Sequence, residues 1–188
     1  MIRKLFIYLC FQLTLFPIWA EEMINQHQMV SLSHVKGCQS VGIRGGKGTK
    51  SVYDVGLTYA YCFNSKISLL FELDHERWIC RPKEKTEMSN VVLLSAGVEH
   101  NILNPTKWFY WQWGLGAVVG YDKWISKRLD NQVDKAFCYG AQVGTGVEFV
   151  PWTRVSFLLK AQQYALFSKV ENYLKPNFSA AVRINFHK

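Results

Sequence analysis

Beyond its first twenty residues this chain has no apolar run of the 18 or more residues that a membrane-crossing helix requires. Any passage through a bilayer must therefore use strands. Charge is also scarce: Asp, Glu, Lys and Arg make up 19% of the 188 residues, against roughly 25% in soluble domains. The formal excess of +8 is scattered rather than clustered, which argues against direct nucleic-acid contact and assigns the basic residues to solvated loops. No catalytic constellation is present. His75 and His100 fall at opposite ends of the expected fold, and no serine has both a base and an orienting partner. The spacing begun by Gly114 and Gly116 is not completed as a nucleotide motif. His27 and His34 sit in a polar leader, where lone histidines are solvated rather than metal-bound. These absences predict a non-enzyme with no cofactor, no metal and no small-molecule substrate.

Aromatic residues, by contrast, are abundant at 15%, and their placement is regular. From Trp108 to Tyr121 alternate residues form two unlike faces. Phe109, Trp111, Trp113, Leu115, Ala117, Val119 and Tyr121 make a bulky face with aromatics towards both ends. Tyr110, Gln112, Gly114, Gly116, Val118 and Gly120 make the other. An outward apolar band with aromatic girdles and a polar interior is the build of a transmembrane β-barrel strand. The same two-residue period recurs along the chain and predicts Tyr53, Tyr59, Tyr61, Phe63, Phe137, Tyr139, Phe149, Phe157, Phe178 and Phe186 as further lipid-facing aromatics.

Residues 1–20 carry Arg3 and Lys4, the apolar run Leu5 to Leu15, then Pro17 and Ala20, the layout of a signal peptide cleaved after Ala20. Residues 21–36 read as a periplasmic leader and 37–188 as the barrel. Eight strands are expected, with turns at Gly45 to Lys50, Asn64-Ser65, His100 to Lys107 and Pro151 to Thr153. Long polar connections are expected at Asp74 to Asn90, Asp122 to Lys135 and Phe167 to Pro176. Long loops at one end, short ones at the other and an even strand count predict an antiparallel up-and-down outer-membrane barrel with both termini in the periplasm.

An eight-stranded barrel is only wide enough for side chains to fill it, so a conducting pore is not expected. Inward-facing Glu72, Glu99, Glu148, Lys160 and Arg183 must then pair, because buried charge is costly alone. Four cysteines follow the signal peptide, namely Cys38, Cys62, Cys80 and Cys138. In an oxidising compartment they either pair, Cys38 with Cys62 and Cys80 with Cys138, or stay as four thiols.

The segment Val150-Pro-Trp-Thr-Arg-Val-Ser-Phe-Leu-Leu-Lys-Ala-Gln162, then Leu166-Phe167, Lys175-Pro176 and Phe178-Ser-Ala-Ala-Val-Arg-Ile-Asn-Phe186, resembles the end of the conjugal transfer protein TraO family of conjugative transposons. Lys36-Gly37 through Gly45 and Gly114 through Gly120 are similar to the family's glycine-bearing first strand and aromatic-rich middle. The resemblance implies a non-enzymatic outer-membrane component or accessory of a conjugative DNA-transfer apparatus in a Gram-negative cell. Its partners would be outer-membrane lipid and other transfer-apparatus proteins. Rival readings are a general adhesion or stability barrel of the OmpA/OmpX type, a lipid-modifying barrel enzyme, and a soluble lipocalin-like barrel.

Overall fold

In the computed structural model, residues 34–48, 51–80, 87–106, 108–126, 132–168 and 173–186 are described. The expected signal peptide and all of the leader before His34 lie outside these residues. Eight strands follow one another: β1 (Gln39–Gly48), β2 (Ser51–Cys62), β3 (Ile67–Cys80), β4 (Glu87–Thr106), β5 (Phe109–Ser126), β6 (Gln132–Trp152), β7 (Val155–Ser168) and β8 (Tyr173–Phe186). Each pairs antiparallel with the next, and β8 closes on β1. No edge is left to template aggregation. No helix occurs among the described residues.

Following paired residues round the wall shows the stagger. From Cys38 the row runs through Cys62, Ser68, Glu99, Gly114, Gly144, Gln162 and Asn177, and it returns to β1 at Gly48, not Cys38. Strands in a closed barrel must tilt to produce such an offset. Tilt also brings side chains from distant strands to one height, which decides who meets whom inside.

The alternation predicted from sequence holds along every strand. On β7 the residues from Ser156 to Leu166 alternate buried with exposed or half-buried. Outside lies a belt of large apolar side chains, with Leu57, Leu94, Leu115, Val143 and Leu159 exposed at mid-height. Trp111, Phe149 and Phe157 are exposed towards the end where the chain enters and leaves. Tyr53, Tyr121, Phe137 and Tyr139 are exposed towards the far end. Tyr59, Tyr61 and Phe109 also stand on this outer face, half-buried against neighbours such as Phe71 and Phe63. The remaining members of the expected set, Phe63, Trp113, Phe178 and Phe186, are exposed there too.

Around the three long connections, six strand limits differ from expectation. Asp74 to Cys80 belongs to β3 and Glu87 to Asn90 to β4, so most of the expected connection is sheet. Likewise β5 continues to Ser126, β6 begins at Gln132, β7 runs to Ser168 and β8 begins at Tyr173. About 9–11 tilted residues cross a bilayer, whereas β4 and β6 have 20 and 21. Past the hydrocarbon the outer face needs no apolar residues, so the hydrophobic period stops while the hydrogen-bond ladder continues.

Gly37 shapes the entry to β1. Its φ of 82° is the left-handed region that glycine adopts without a Cβ penalty. The Cys38 amide donates to the Val35 carbonyl at 2.9 Å, closing a turn with Gly37 in its third position. Gly37 and Cys38 together oppose Cys62: the Gly37 amide donates to the Cys62 carbonyl and the Cys62 amide to that of Cys38. This is a glycine-type β-bulge, and it turns the preceding residues back under the barrel mouth.

Candidate functional site

The interior is a column of paired charges. Arg44 on β1 is 5% exposed. Its guanidinium lies 2.9 Å from Asp54 on β2, 2.8 Å from Asp74 on β3 and 3.8 Å from Glu72. It also donates to the Gln162 amide oxygen at 2.5 Å and to the Tyr164 hydroxyl at 3.4 Å. Register explains its reach. Arg44 pairs with Gly56, and Gly56 with Asp74, so a glycine separates the two charged residues. A Cβ on Gly56 would sit 2.1 Å from the Asp74 carboxylate; glycine here is the space through which the ion pair forms.

Glu72 anchors the middle of the column. It accepts from Lys160 at 3.0 Å, Gln162 at 3.0 Å, Gln142 at 3.1 Å and Ser95 at 3.4 Å. Lys160 also reaches Glu99 at 2.8 Å, and Glu99 lies 3.5 Å from Arg183. Gly42, paired with Arg183, leaves room for that side chain: a Cβ there would lie 2.8 Å from its Cγ. The contacts thus run unbroken from Arg183 through Glu99, Lys160, Glu72 and Arg44 to Asp54 and Asp74. Towards the far end, Lys175 pairs with Glu76, Asn177 donates to Asp54 and Ser89 donates to Asp122. Beside these polar groups stands a buried apolar cluster of Val91, Leu93, Val118, Cys138, Tyr164 and Leu166. A cavity of about 10 Å³ touches Leu70, Glu99, Gln142 and Lys160, the scale of a single water.

His34 closes the near end, and here the structure corrects the expectation that it is solvated in the leader. The bulge at Gly37 folds it inward, where it is buried. Its ring lies against Tyr110 with centroids 4.0 Å apart. The Asn101 amide nitrogen contacts His34 Nδ1 at 2.9 Å and the Ser65 carbonyl at 2.9 Å. Nδ1 therefore accepts, and Nε2–H donates to the Glu148 carboxylate at 2.9 Å. A buried imidazole held on both ring nitrogens caps the column.

Of the residues predicted from sequence, Glu72, Glu99, Lys160 and Arg183 meet in one chain of contacts, while Glu148 pairs with His34. Sequence reasoning missed Arg44, Asp54, Asp74, Glu76, Lys175 and His34 as members. Arg44 and Asp54 lie on the inward sides of β1 and β2, but most of Arg44's partners lie across strands that only barrel closure brings together. Asp74, Glu76 and Lys175 fell within stretches read as connections.

Cys38 and Cys62 oppose each other across β1 and β2 at the near end, as thiols. The expected pairing of Cys80 with Cys138 does not suit the register. Cys80 pairs with Glu87, Cys138 pairs with Gly120 and Ser168, and two strands separate them. A disulfide needs Cα atoms within about 7 Å. His75 and His100 point outward, beside Tyr53 and Trp113 respectively. Among the described residues no group of three His, Cys, Asp or Glu side chains is placed to hold a metal ion.

The sequence matches no protein-family model and no curated protein. Among solved structures, the chain is similar in fold to the N-terminal β-barrel domain of Pseudomonas aeruginosa OprF, with a TM-score of 0.60 at 10% identity over 80% of this chain and 98% of that one. It is likewise similar to Ail, the attachment invasion locus protein of Yersinia pestis, with a TM-score of 0.55 at 16% identity over 81% and 100%. Neisserial surface protein A gives 0.56 at 16% identity over 80% and 98%. The fold is that of the small outer-membrane β-barrels.

Proposed function

We propose that this chain is a non-enzymatic, non-conducting barrel of the Gram-negative outer membrane that acts through its surfaces, as an attachment or envelope-stability barrel of the OmpA/OmpX type does. The near end, with the chain termini, faces the periplasm, and the far end, where β3 to β6 extend past the apolar belt, faces out. One observation carries this reading: from His34 to Lys175 the described inward charges pair across the lumen. Reconstituted in a planar bilayer, the folded protein should produce no current steps above the lipid background. Regular steps that scale with salt would contradict a closed interior.

The resemblance of Val150 to Phe186 to the TraO family favours a finer reading, in which the surface partner belongs to a conjugative DNA-transfer apparatus. A clean deletion with complementation distinguishes the two. Under the finer reading, transfer frequency falls while resistance to bile salts and detergents is unchanged. Under the general reading, envelope resistance or attachment is lost and transfer is not.

A further inference from the structure

All seven described carboxylates with placed side chains lie inside the barrel, whereas the inward Lys and Arg side chains number four: Arg44, Lys160, Lys175 and Arg183. On the outer face and turns, every described Asp, Glu, Lys or Arg side chain with a placed position is a cation. Among the described residues the positive excess is therefore an exterior property, not one spread over both faces.

Three of those cations share one row. Register aligns Arg77 with Asn90, Asn90 with Lys123, and Lys123 with Lys135 across β3 to β6, all on the outward face. The next outward rung down holds His75, Val92, Tyr121 and Phe137, the upper margin of the lipid-facing belt. Lys123 and Lys135 stand directly opposite each other, a like-charge pair that destabilises a sheet. No described carboxylate shares their face to offset it. With strands about 4.8 Å apart, the three cations span about 14 Å of wall at the height of lipid headgroups.

We propose that this row binds the phosphate groups of an anionic glycolipid in the outer leaflet. The two lysines supply neighbouring point charges across one rung of β5 and β6. The acyl chains lie down over Tyr121, Phe137 and the aliphatic surface beneath. An anion between Lys123 and Lys135 turns their repulsion into attraction, which accounts for the pairing. The site rests on the outer-membrane reading above, with the far end facing out.

The mature chain, folded in detergent micelles, is incubated with bisphosphorylated lipid A, with the same lipid stripped of its phosphates, and with phosphatidylglycerol. Folding is read from gel mobility before and after heating, and lipid adducts by native mass spectrometry. The parent protein should hold lipid A, and the variant Lys123→Gln/Lys135→Gln should hold it about 30-fold more weakly, the effect expected for two charges at an anionic surface. Equal affinity of parent and variant overturns the proposal. So does equal retention of the phosphate-free lipid, a comparison that needs no variant, and so does phosphatidylglycerol binding as tightly as lipid A. A folded chain without adducts removes only this site, whereas a chain that never gains a heat-modifiable band removes the barrel reading itself.

Discussion

Replacing Arg44 by methionine lowers the unfolding free energy of the barrel by about 3–5 kcal/mol, the cost of removing one partner from a buried ion pair. Methionine fills much of the same volume but leaves Asp54, Asp74 and Glu72 facing one another without the guanidinium between them. Loss of a cavity-filling stem is a minor part of this effect; uncompensated carboxylates in a closed lumen are the major one. Urea titration in micelles, followed by tryptophan fluorescence, reads the change. The triple variant Arg44→Met/Asp54→Asn/Asp74→Asn separates the two contributions, since removing the acids with the base should restore most of the stability. A loss below about 1 kcal/mol in the single variant, or no recovery in the triple, would show that the interior charges are not coupled as the geometry implies.

The second large effect is on the opposite face. Leu115 is 56% exposed and lies midway between the aromatics at the two ends of β5. In a soluble protein, exchanging an exposed leucine for arginine changes stability within about 0.5 kcal/mol. At the bilayer midplane an outward arginine costs about 2–4 kcal/mol. Leu115→Arg should therefore destabilise the barrel by that amount in vesicles. Trp152→Arg, at the exposed end of β6, should cost about 1 kcal/mol or less, because the penalty falls towards the interface. Equal effects at the two positions would contradict a depth-dependent lipid environment.

Much of this architecture was legible because lipid imposes a strict rule on one face. Val41, Ile43, Leu57, Leu73, Leu94 and Leu159 announce their strands since each must meet hydrocarbon, and their neighbours are read as inward by elimination. Where lipid ends, so does the signal. His75 and Arg77 on β3 are outward but polar, and without an apolar partner at every second place the stretch looks like a loop. Asp74 and Glu76, which alternate with them, are buried and paired, yet nothing in the linear pattern marks them.

Partner choice inside the barrel was the other illegible part. Alternation tells that Glu72, Lys160 and Arg183 point inward, but it is silent on which of them meet. That depends on closure of β8 on β1 and on the stagger around the wall. Arg44 reaches Asp74 only because Gly56 intervenes, a relation between three strands that no local window contains. His34 shows a further limit. Its burial follows from the left-handed Gly37 and the bulge opposite Cys62, which together reverse the chain, whereas composition alone describes a polar leader.

In this barrel the apolar face of each strand looks at lipid. Nitroxide labels placed one at a time at positions 115 to 119 along β5, in protein reconstituted into vesicles, test it most directly. Collision rates with oxygen, which concentrates in hydrocarbon, and with a water-soluble nickel chelate are compared. Oxygen should dominate at positions 115, 117 and 119, with low access to both probes at 116 and 118. High nickel access at 115, 117 and 119, with oxygen low there, would contradict it.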